Sequence, residues 1–83
     1  MNTYVRSKVE EIEKGNFVVM GYDTFSNEWY YVSSPKTGEE ADRTAENKRK
    51  EALKLASNSS IADKYHIFEK EDFLRNHLHL LED

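Results

Sequence analysis

The sequence predicts a single α+β domain over residues 1–83, with three helices beside a three-stranded sheet of antiparallel type. Two β-branched and aromatic segments joined by turn-forming residues predict a hairpin over 17–33. Apolar residues at helical spacing lie before and after that hairpin. A chain of 83 residues is shorter than most single domains, which leaves no room for a second one. We expect the helices to pack mainly on one face of the sheet.

The first helix is predicted over residues 3–14, where three apolar residues recur at i, i+4 and i+7. They are Val5, Val9 and Ile12. Gly15 follows at the position where a left-handed C-cap would end the helix. An alternative start at Ser7 rests on the capping-box sequence Ser-Lys-Val-Glu and would leave the preceding residues extended. We favour the longer helix.

The hairpin joins a strand over Phe17–Tyr22 to a strand over Glu28–Ser33 through the turn residues Asp23–Asn27. Both strands carry apolar side chains on both sides, so alternation alone does not identify the buried face. Both faces therefore need cover, and an uncovered face would present aromatic surface to a partner.

A second capping box, Thr37–Glu40, opens a helix that is predicted over 38–57. The inner face of this helix consists mainly of small side chains, which allow a helix to approach a sheet closely: Ala41, Ala45, Lys48, Ala52, Leu55 and Ala56. Its outer face carries oppositely charged residues four positions apart, as is typical of a solvated surface.

The remaining segments predict one more strand and one more helix. The strand is expected over 64–69, because Lys64–Glu69 is rich in β-forming residues. Asp72 is placed to cap a final helix over 72–82. Residues at i, i+3, i+4 and i+7 form one face of that helix: Leu74, His77, Leu78 and Leu81.

Composition excludes several classes of function. Twelve Lys and Arg against sixteen Asp and Glu give a net charge of −4, which argues against binding to a nucleic-acid backbone. Because the chain has no cysteine, disulfides, thiolate metal sites and thiol catalysis are excluded within it. No apolar run approaches the roughly 20 residues of a membrane span, and the N-terminal residues do not show the basic-then-apolar pattern expected of a signal segment. We expect a cytoplasmic protein that does not bind membranes.

The sequence carries no signature of catalysis, a cofactor or a metal site. With only three glycines it has no phosphate-binding loop, and no nucleophile is paired with a base. His66, His77 and His79 suggest nitrogen ligands, but residues two apart on a helix project about 200° apart. We therefore expect neither enzymatic activity nor a bound metal.

The aromatic hairpin is the most informative feature for function. Tryptophan and tyrosine dominate binding hot spots, because they bury a large area with few rotatable bonds. The predicted partner-binding surface combines four aromatic residues with an acidic rim: Phe25, Trp29, Tyr30 and Tyr31, with Asp23 and Glu28. The alternative is that these rings simply form the core of a domain poor in aliphatic residues.

Two further hypotheses use other parts of the chain. A small-ligand or nucleotide site would draw on one cationic and aromatic group: Lys48, Arg49, Tyr65 and His66. A homodimer would form through the final helix, with Leu74, Leu78 and Leu81 at the interface.

The chain resembles the small uncharacterised accessory proteins of phages and mobile elements of Gram-positive bacteria. The resemblance rests on the strand segments 16–23, 27–32 and 64–69 together with the alanine-spaced helix between them. It implies a stand-alone protein that binds and blocks a bacterial host protein, such as a defence or replication component. It assigns no individual functional residue.

Overall fold

The computed structural model describes residues 2–56 and 61–82. In chain order the elements are α1 (Thr3–Lys14), β1 (Phe17–Asp23), β2 (Glu28–Ser33), α2 (Gly38–Leu55), β3 (Lys64–Glu69) and α3 (Lys70–Asp72), which continues as a π-helical turn (Phe73–His77) and a 3₁₀ turn (Leu78–Leu81). The strands form one antiparallel sheet in the order β2-β1-β3. The predicted α+β class with a three-stranded antiparallel sheet is confirmed. The predicted end of the second helix at residue 57 lies outside the described residues.

Helix α1 begins where the longer of the two predictions places it. The Asn2 side chain accepts a hydrogen bond of 2.8 Å from the Val5 amide and caps the helix, so the alternative start at Ser7 is wrong. Gly15 follows the last helical residue as the expected C-cap, but its φ of −104° shows that the expected left-handed conformation is wrong. Glycine is needed there for space, because a Cβ atom would collide with the Ser34 carbonyl oxygen.

The hairpin turn is held by Asp23 and Asn27. The Asn27 amide donates to the Asp23 carbonyl over 2.8 Å, and Asn27 adopts a φ of 59°, which asparagine tolerates better than most residues. The Asp23 carboxylate accepts from the amides of Phe25 and Ser26. Farther along the ladder the β1–β2 register shifts by one residue between Val19 and Met20.

Each face of the sheet is covered by its own set of helices. On one face, α1 and the C-terminal helical segment enclose a core of large side chains: Val5, Ile12, Val18, Met20, Phe73 and Leu81. On the other face, α2 packs on a core that combines three small side chains with one tyrosine: Val19, Ala41, Ala45 and Tyr65. The expectation that helices lie mainly on one face is therefore corrected. Both faces of the strands are apolar, and both are covered.

Helix α2 starts as predicted but leaves the sheet before it ends. The Thr37 hydroxyl caps the helix by accepting from the Glu40 amide over 3.1 Å. Leu55 was predicted on the inner face, yet its side chain is 90% exposed. An 18-residue helix is about 27 Å long, whereas a six-residue strand spans about 20 Å, so the last turn extends beyond the strands.

The C-terminal helical segment begins at Lys70, two residues earlier than predicted. Its first amide, that of Lys70, donates to the Asn16 carbonyl over 3.0 Å. Asp72 has helical backbone angles and makes no cap, so its predicted capping role is wrong. Its carboxylate instead accepts from Asn76 over 2.9 Å and lies 3.2 Å from His77 Nε2.

Candidate binding site at the hairpin edge

The aromatic residues of the hairpin point in three directions. Trp29 and Tyr31 project to the face covered by the terminal helices, and Tyr30 projects to the face covered by α2. Phe25 lies at the tip of the turn and is 96% exposed. The sequence groups these residues as one surface, but the pleat of β2 separates them.

Trp29 belongs partly to the core and partly to the surface. Its ring is half-buried and lies 5.1 Å from the Tyr22 ring, 5.2 Å from that of His66 and 6.4 Å from that of Phe68. These rings form a row across all three strands. Trp29 therefore packs against the core, as one prediction has it, and also contributes to the surface, as the other has it.

Tyr31 is fixed in place by two different interactions. Its hydroxyl lies 2.7 Å from the Ser34 hydroxyl, and the Lys8 ammonium lies 5.1 Å from its ring centroid. Lys8 also approaches the Tyr4 ring, at 5.4 Å, and lies 3.8 Å from the Glu11 carboxylate. Burial raises the pKa of the Tyr31 phenol above its usual value.

Tyr30 holds the α2 face together. Its hydroxyl lies 2.6 Å from Asp63 Oδ2 and 2.7 Å from the Tyr65 hydroxyl. Since a phenol carries one proton, Tyr30 donates to the carboxylate and accepts from Tyr65. Burial, with these hydrogen bonds, raises the pKa of Tyr30 far above its usual value. The ring lies directly over Gly21, its register partner, where a Cβ atom would collide with it.

A cleft runs beside β2, the free strand at one edge of the sheet. Its larger part has a volume of about 560 Å³ and a smaller part, near the turn, about 310 Å³. The parts share Glu28, Trp29, Leu80 and Glu82, and we name them together the β2 cleft. The larger part is lined by residues from both chain ends and the hairpin: Asn2, Tyr4, Glu28, Trp29, Tyr30, Tyr31, Leu80, Leu81 and Glu82.

The β2 cleft is aromatic and acidic. Four of the six residues predicted for partner binding line it: Glu28, Trp29, Tyr30 and Tyr31. Its charged lining, as far as the described chain goes, consists of the carboxylates Glu28 and Glu82, with no lysine or arginine. Tyr4, Leu80 and Glu82 also line the cleft and were not predicted as binding residues. Their sequence context gives no local signal, because only the fold brings both ends of the chain to β2.

Asp23 was predicted to form part of an acidic rim, and its carboxylate also has a structural role in the turn. The amides of Phe25 and Ser26 donate to its carboxylate over 2.9 and 3.3 Å, and these hydrogen bonds hold the pKa of Asp23 below its ordinary value. The carboxylate thus fixes the turn that presents Phe25.

The residues of the alternative ligand site meet at the opposite edge of the sheet, on β3. Arg49, Tyr65 and His66 line a cleft of about 400 Å³, and Lys48 lines a neighbouring one of about 340 Å³. Arg49 Nη2 donates to the Tyr65 carbonyl over 2.8 Å, so its guanidinium already has a partner within the chain. Asp63 contributes a carboxylate to both clefts.

The residues considered for a homodimer and for a metal pack within the chain. Leu74, Leu78 and Leu81 all contact the core on the terminal-helix face, and Leu81 is buried. The His77 ring packs 4.8 Å from that of Phe68 and 6.5 Å from that of His79. Among residues 2–56 and 61–82 no three histidine, aspartate or glutamate side chains come together as metal ligands would. No helix in that part of the chain combines the length and apolar character needed to cross a membrane.

Comparison with known proteins found no matching family model, no matching curated protein and no matching solved structure.

Proposed function

We propose that this chain is a small, non-catalytic protein-binding protein that acts by occupying a surface of its partner. Contact is made through the β2 cleft and the hairpin tip. In keeping with the resemblance noted in the sequence, we propose a bacterial host protein as the partner and a phage or mobile element as the source of the chain. Binding blocks or modulates the function of that host protein.

The observation that carries this proposal is the exposure of Phe25 at the tip of the hairpin whose second strand lines the β2 cleft. Burying a phenylalanine side chain stabilises by about 1.5–3 kcal/mol, yet Phe25 is 96% exposed and the turn beneath it is rigidly hydrogen-bonded. An apolar side chain held out from a hydrogen-bonded turn, on the same hairpin as the aromatic lining of the β2 cleft, matches the anchor residues of protein interfaces.

The charge of the site supports a basic partner surface. Glu28 and Glu82 line the β2 cleft, and the whole chain has a net charge of −4. Carboxylates at the rim of an interface accelerate association with a positively charged partner and disfavour acidic ones. This contribution weakens as ionic strength rises.

The test uses a variant that leaves the fold intact. Phe25→Ser removes an exposed ring, whereas Trp29→Ala would also open the core. Tagged wild type and Phe25→Ser are used to capture partners from Gram-positive lysate, followed by mass spectrometry. Leu55→Ser is the matched control, because Leu55 is 90% exposed on α2, away from the hairpin.

We expect one host protein to be retained by wild type and by Leu55→Ser and to be lost with Phe25→Ser. Measured with the purified partner, the affinity should fall by at least about 30-fold, the equivalent of a 2 kcal/mol hot spot. Equal retention by all three forms would contradict the proposal.

A ligand-binding role at the β3 edge is the second candidate. It is favoured by the meeting of Arg49, Tyr65 and His66 in one cleft, while Lys48, the fourth residue of that hypothesis, lines the neighbouring cleft. A thermal-shift screen of nucleotides and small anions tests it, because a ligand at 100 times its dissociation constant stabilises by about 2.7 kcal/mol. A stabilising compound whose effect is lost in Leu53→Arg, which would fill the cleft, would favour this role over protein binding.

A further inference from the structure

We infer that the outer edge of β2 binds its partner as an added β-strand, and that the added strand is a short, extended segment carrying lysine or arginine. This inference rests on the proposed function and specifies its binding mode and partner chemistry. It joins two features of the described chain: an edge strand with its backbone directed outward, and an acidic aromatic cleft alongside it.

The direction of the backbone groups follows from the hairpin. The Asp23 carbonyl accepts from the Asn27 amide, so the peptide groups of Asp23 are directed toward β2. In antiparallel sheets, every second residue forms its backbone hydrogen bonds with the same neighbouring strand. The backbone groups of Gly21 are therefore also directed toward β2, and those of its partner Tyr30 toward β1. The residues on either side of Tyr30, namely Trp29 and Tyr31, therefore direct their N–H and C=O groups outward.

The other side of the sheet gives the same result independently. The Tyr65 carbonyl accepts from Arg49 on α2, so it is directed away from β1. The backbone groups of the next residue, His66, are then directed toward β1 and its partner Met20. Those of Gly21, which follows Met20, are therefore directed toward β2. Two separate hydrogen bonds thus fix the alternation that exposes the backbone of Trp29 and Tyr31.

The length of the added strand is set by the irregularity in the ladder. The register shift between Val19 and Met20 interrupts the regular alternation of β2 just beyond Tyr31. The usable edge therefore includes the outward groups of two residues, Trp29 and Tyr31. A segment of about four or five residues can pair with both.

The two edges of the sheet differ in how well they are protected. At the β3 edge, the Arg49 guanidinium already occupies the Tyr65 carbonyl. At the β2 edge, the outward groups border the β2 cleft. Edge strands that are not blocked by side chains are the usual sites of strand addition.

Charge identifies the occupant. Side chains of an added strand would alternate between the face of Trp29 and Tyr31, where Glu82 lines the cleft, and the opposite face, which Glu28 shares with Tyr30. A lysine or arginine there meets both a negative charge and an aromatic face, as Lys8 does on the helix side of Tyr31. A second copy of this chain is disfavoured, because edge-to-edge pairing would bring the Glu28 carboxylates of both copies into one interface.

The test selects peptides with a probe library and then examines the binding mode. A display library of random twelve-residue peptides is selected on the full chain, with counterselection on Glu28→Lys. The tightest binder is synthesised, and its affinity is measured for wild type, Glu28→Lys and Glu82→Lys. Glu46→Lys makes the same change on the outer face of α2 and is the matched control.

We expect recovered peptides to carry lysine or arginine at alternating positions, with at least 10-fold weaker binding to Glu28→Lys and unchanged binding to Glu46→Lys. Backbone N-methylation at alternating positions of one parity should abolish binding, whereas the other parity should have little effect, because only half of the amides of a strand face its neighbour. Amide exchange at Trp29 and Tyr31 should slow at least 10-fold with peptide bound.

Three results would overturn the inference. In the first, no recovered peptide binds wild type more tightly than Glu28→Lys. In the second, N-methylation at either set of alternating positions weakens binding equally. In the third, amide exchange at Trp29 and Tyr31 is unchanged when peptide is bound. The proposed function would survive each of them if the host protein is still lost with Phe25→Ser. Dimers that form through β2 without peptide would also overturn it, in favour of a second copy as the occupant.

Discussion

The two faces of the sheet are both covered by the chain's own helices, but they are stabilised in different ways. The terminal-helix face buries large apolar side chains completely, among them Met20 and Phe73. The α2 face buries little volume, because its helix presents Ala41 and Ala45, and it adds the hydroxyl network of Tyr30. One face depends on packed volume, and the other on close approach and hydrogen bonds.

This difference explains why adjacent aromatic residues have different roles. Tyr30 lies on the α2 face, where the small side chains of the helix leave room for its ring. Its hydroxyl forms hydrogen bonds with Asp63 and Tyr65 there. Trp29 and Tyr31 lie where the terminal helices border the outer edge of β2, so each ring is only half-buried and faces a cleft. Phe25 serves neither core. The aromatic surface not used by the two cores is the surface we propose for binding.

The largest effect should come from the terminal-helix face. Phe73 is fully buried, with its ring 5.4 Å from that of Phe68. Phe73→Ala should lower the free energy of unfolding by about 3–5 kcal/mol, measured by urea denaturation, because it removes buried area and leaves a cavity. Leu55→Ala, at an exposed site, should change it by less than about 0.5 kcal/mol. Similar values for the two variants would contradict the assignment of this face as the main core.

The next effect tests the α2 face at Gly21. Gly21→Ala would place a methyl group where the Tyr30 ring lies, displacing a ring that two hydrogen bonds hold in place. We expect a loss of about 1–3 kcal/mol in the free energy of unfolding. Gly38→Ala is the control, because its Cβ would lie 3.7 Å from the Phe17 ring, an ordinary contact.

The cause can be isolated with a double variant. In a Tyr30→Ala background the Gly21→Ala substitution should cost less, because the colliding ring is gone. Additive losses would show that Tyr30 does not set the requirement for glycine.

The sequence was sufficient for much of the fold. Strand and helix positions follow from β-branched runs, capping boxes and apolar spacing, and Thr37 and Asn2 cap the helices that those patterns predict. The arrangement of helices on the two faces was harder to predict. Both sides of each strand are apolar, so the alternation of apolar and polar residues does not identify a buried face. The exposure of Leu55 depends on where α2 passes the end of the sheet, which is a tertiary property.

The candidate site was only half predictable. Glu28, Trp29 and Tyr31 stand out in the sequence because aromatic residues crowd one short strand. Leu80 and Glu82 do not stand out, because they reach β2 only after the C-terminal helical segment has packed on the sheet. The structural role of Tyr30 likewise depends on Asp63 and Tyr65, more than 30 residues away in the chain.

A smaller effect should appear at high pH and depend on Tyr30 of the α2 face. The folded state keeps Tyr30 protonated well above pH 10, whereas the unfolded chain releases that proton near pH 10. The stability contribution is therefore complete below pH 10 and is lost as pH rises above it. We expect the free energy of unfolding to fall above pH 10 in wild type, and to fall less steeply in Tyr30→Phe. Identical slopes would contradict the Tyr30 assignment.

The smallest effect is local to the hairpin tip. Asp23 has a pKa below its ordinary value of 3.8, because the amides of Phe25 and Ser26 donate to its carboxylate. Because these hydrogen bonds favour the ionised carboxylate, they stabilise the turn above pH 3.8. That contribution is lost as the pH falls through the pKa of Asp23 in the folded protein. The amide resonances of both residues should therefore titrate with a midpoint below 3.8 in NMR spectra. Asp23→Asn should abolish the titration, and a midpoint at or above 3.8 would contradict the turn geometry.

The most direct test of the central claim compares the two edges of the sheet in a complex. Amide hydrogen exchange is measured on the chain alone and bound to the host protein that wild type retains and Phe25→Ser loses. We predict slower exchange at Trp29 and Tyr31 and in the turn over 24–27, with β3 unchanged. Slower exchange confined to β3 and the Arg49 cleft, with β2 unaffected, would contradict the claim that the hairpin edge is the binding surface.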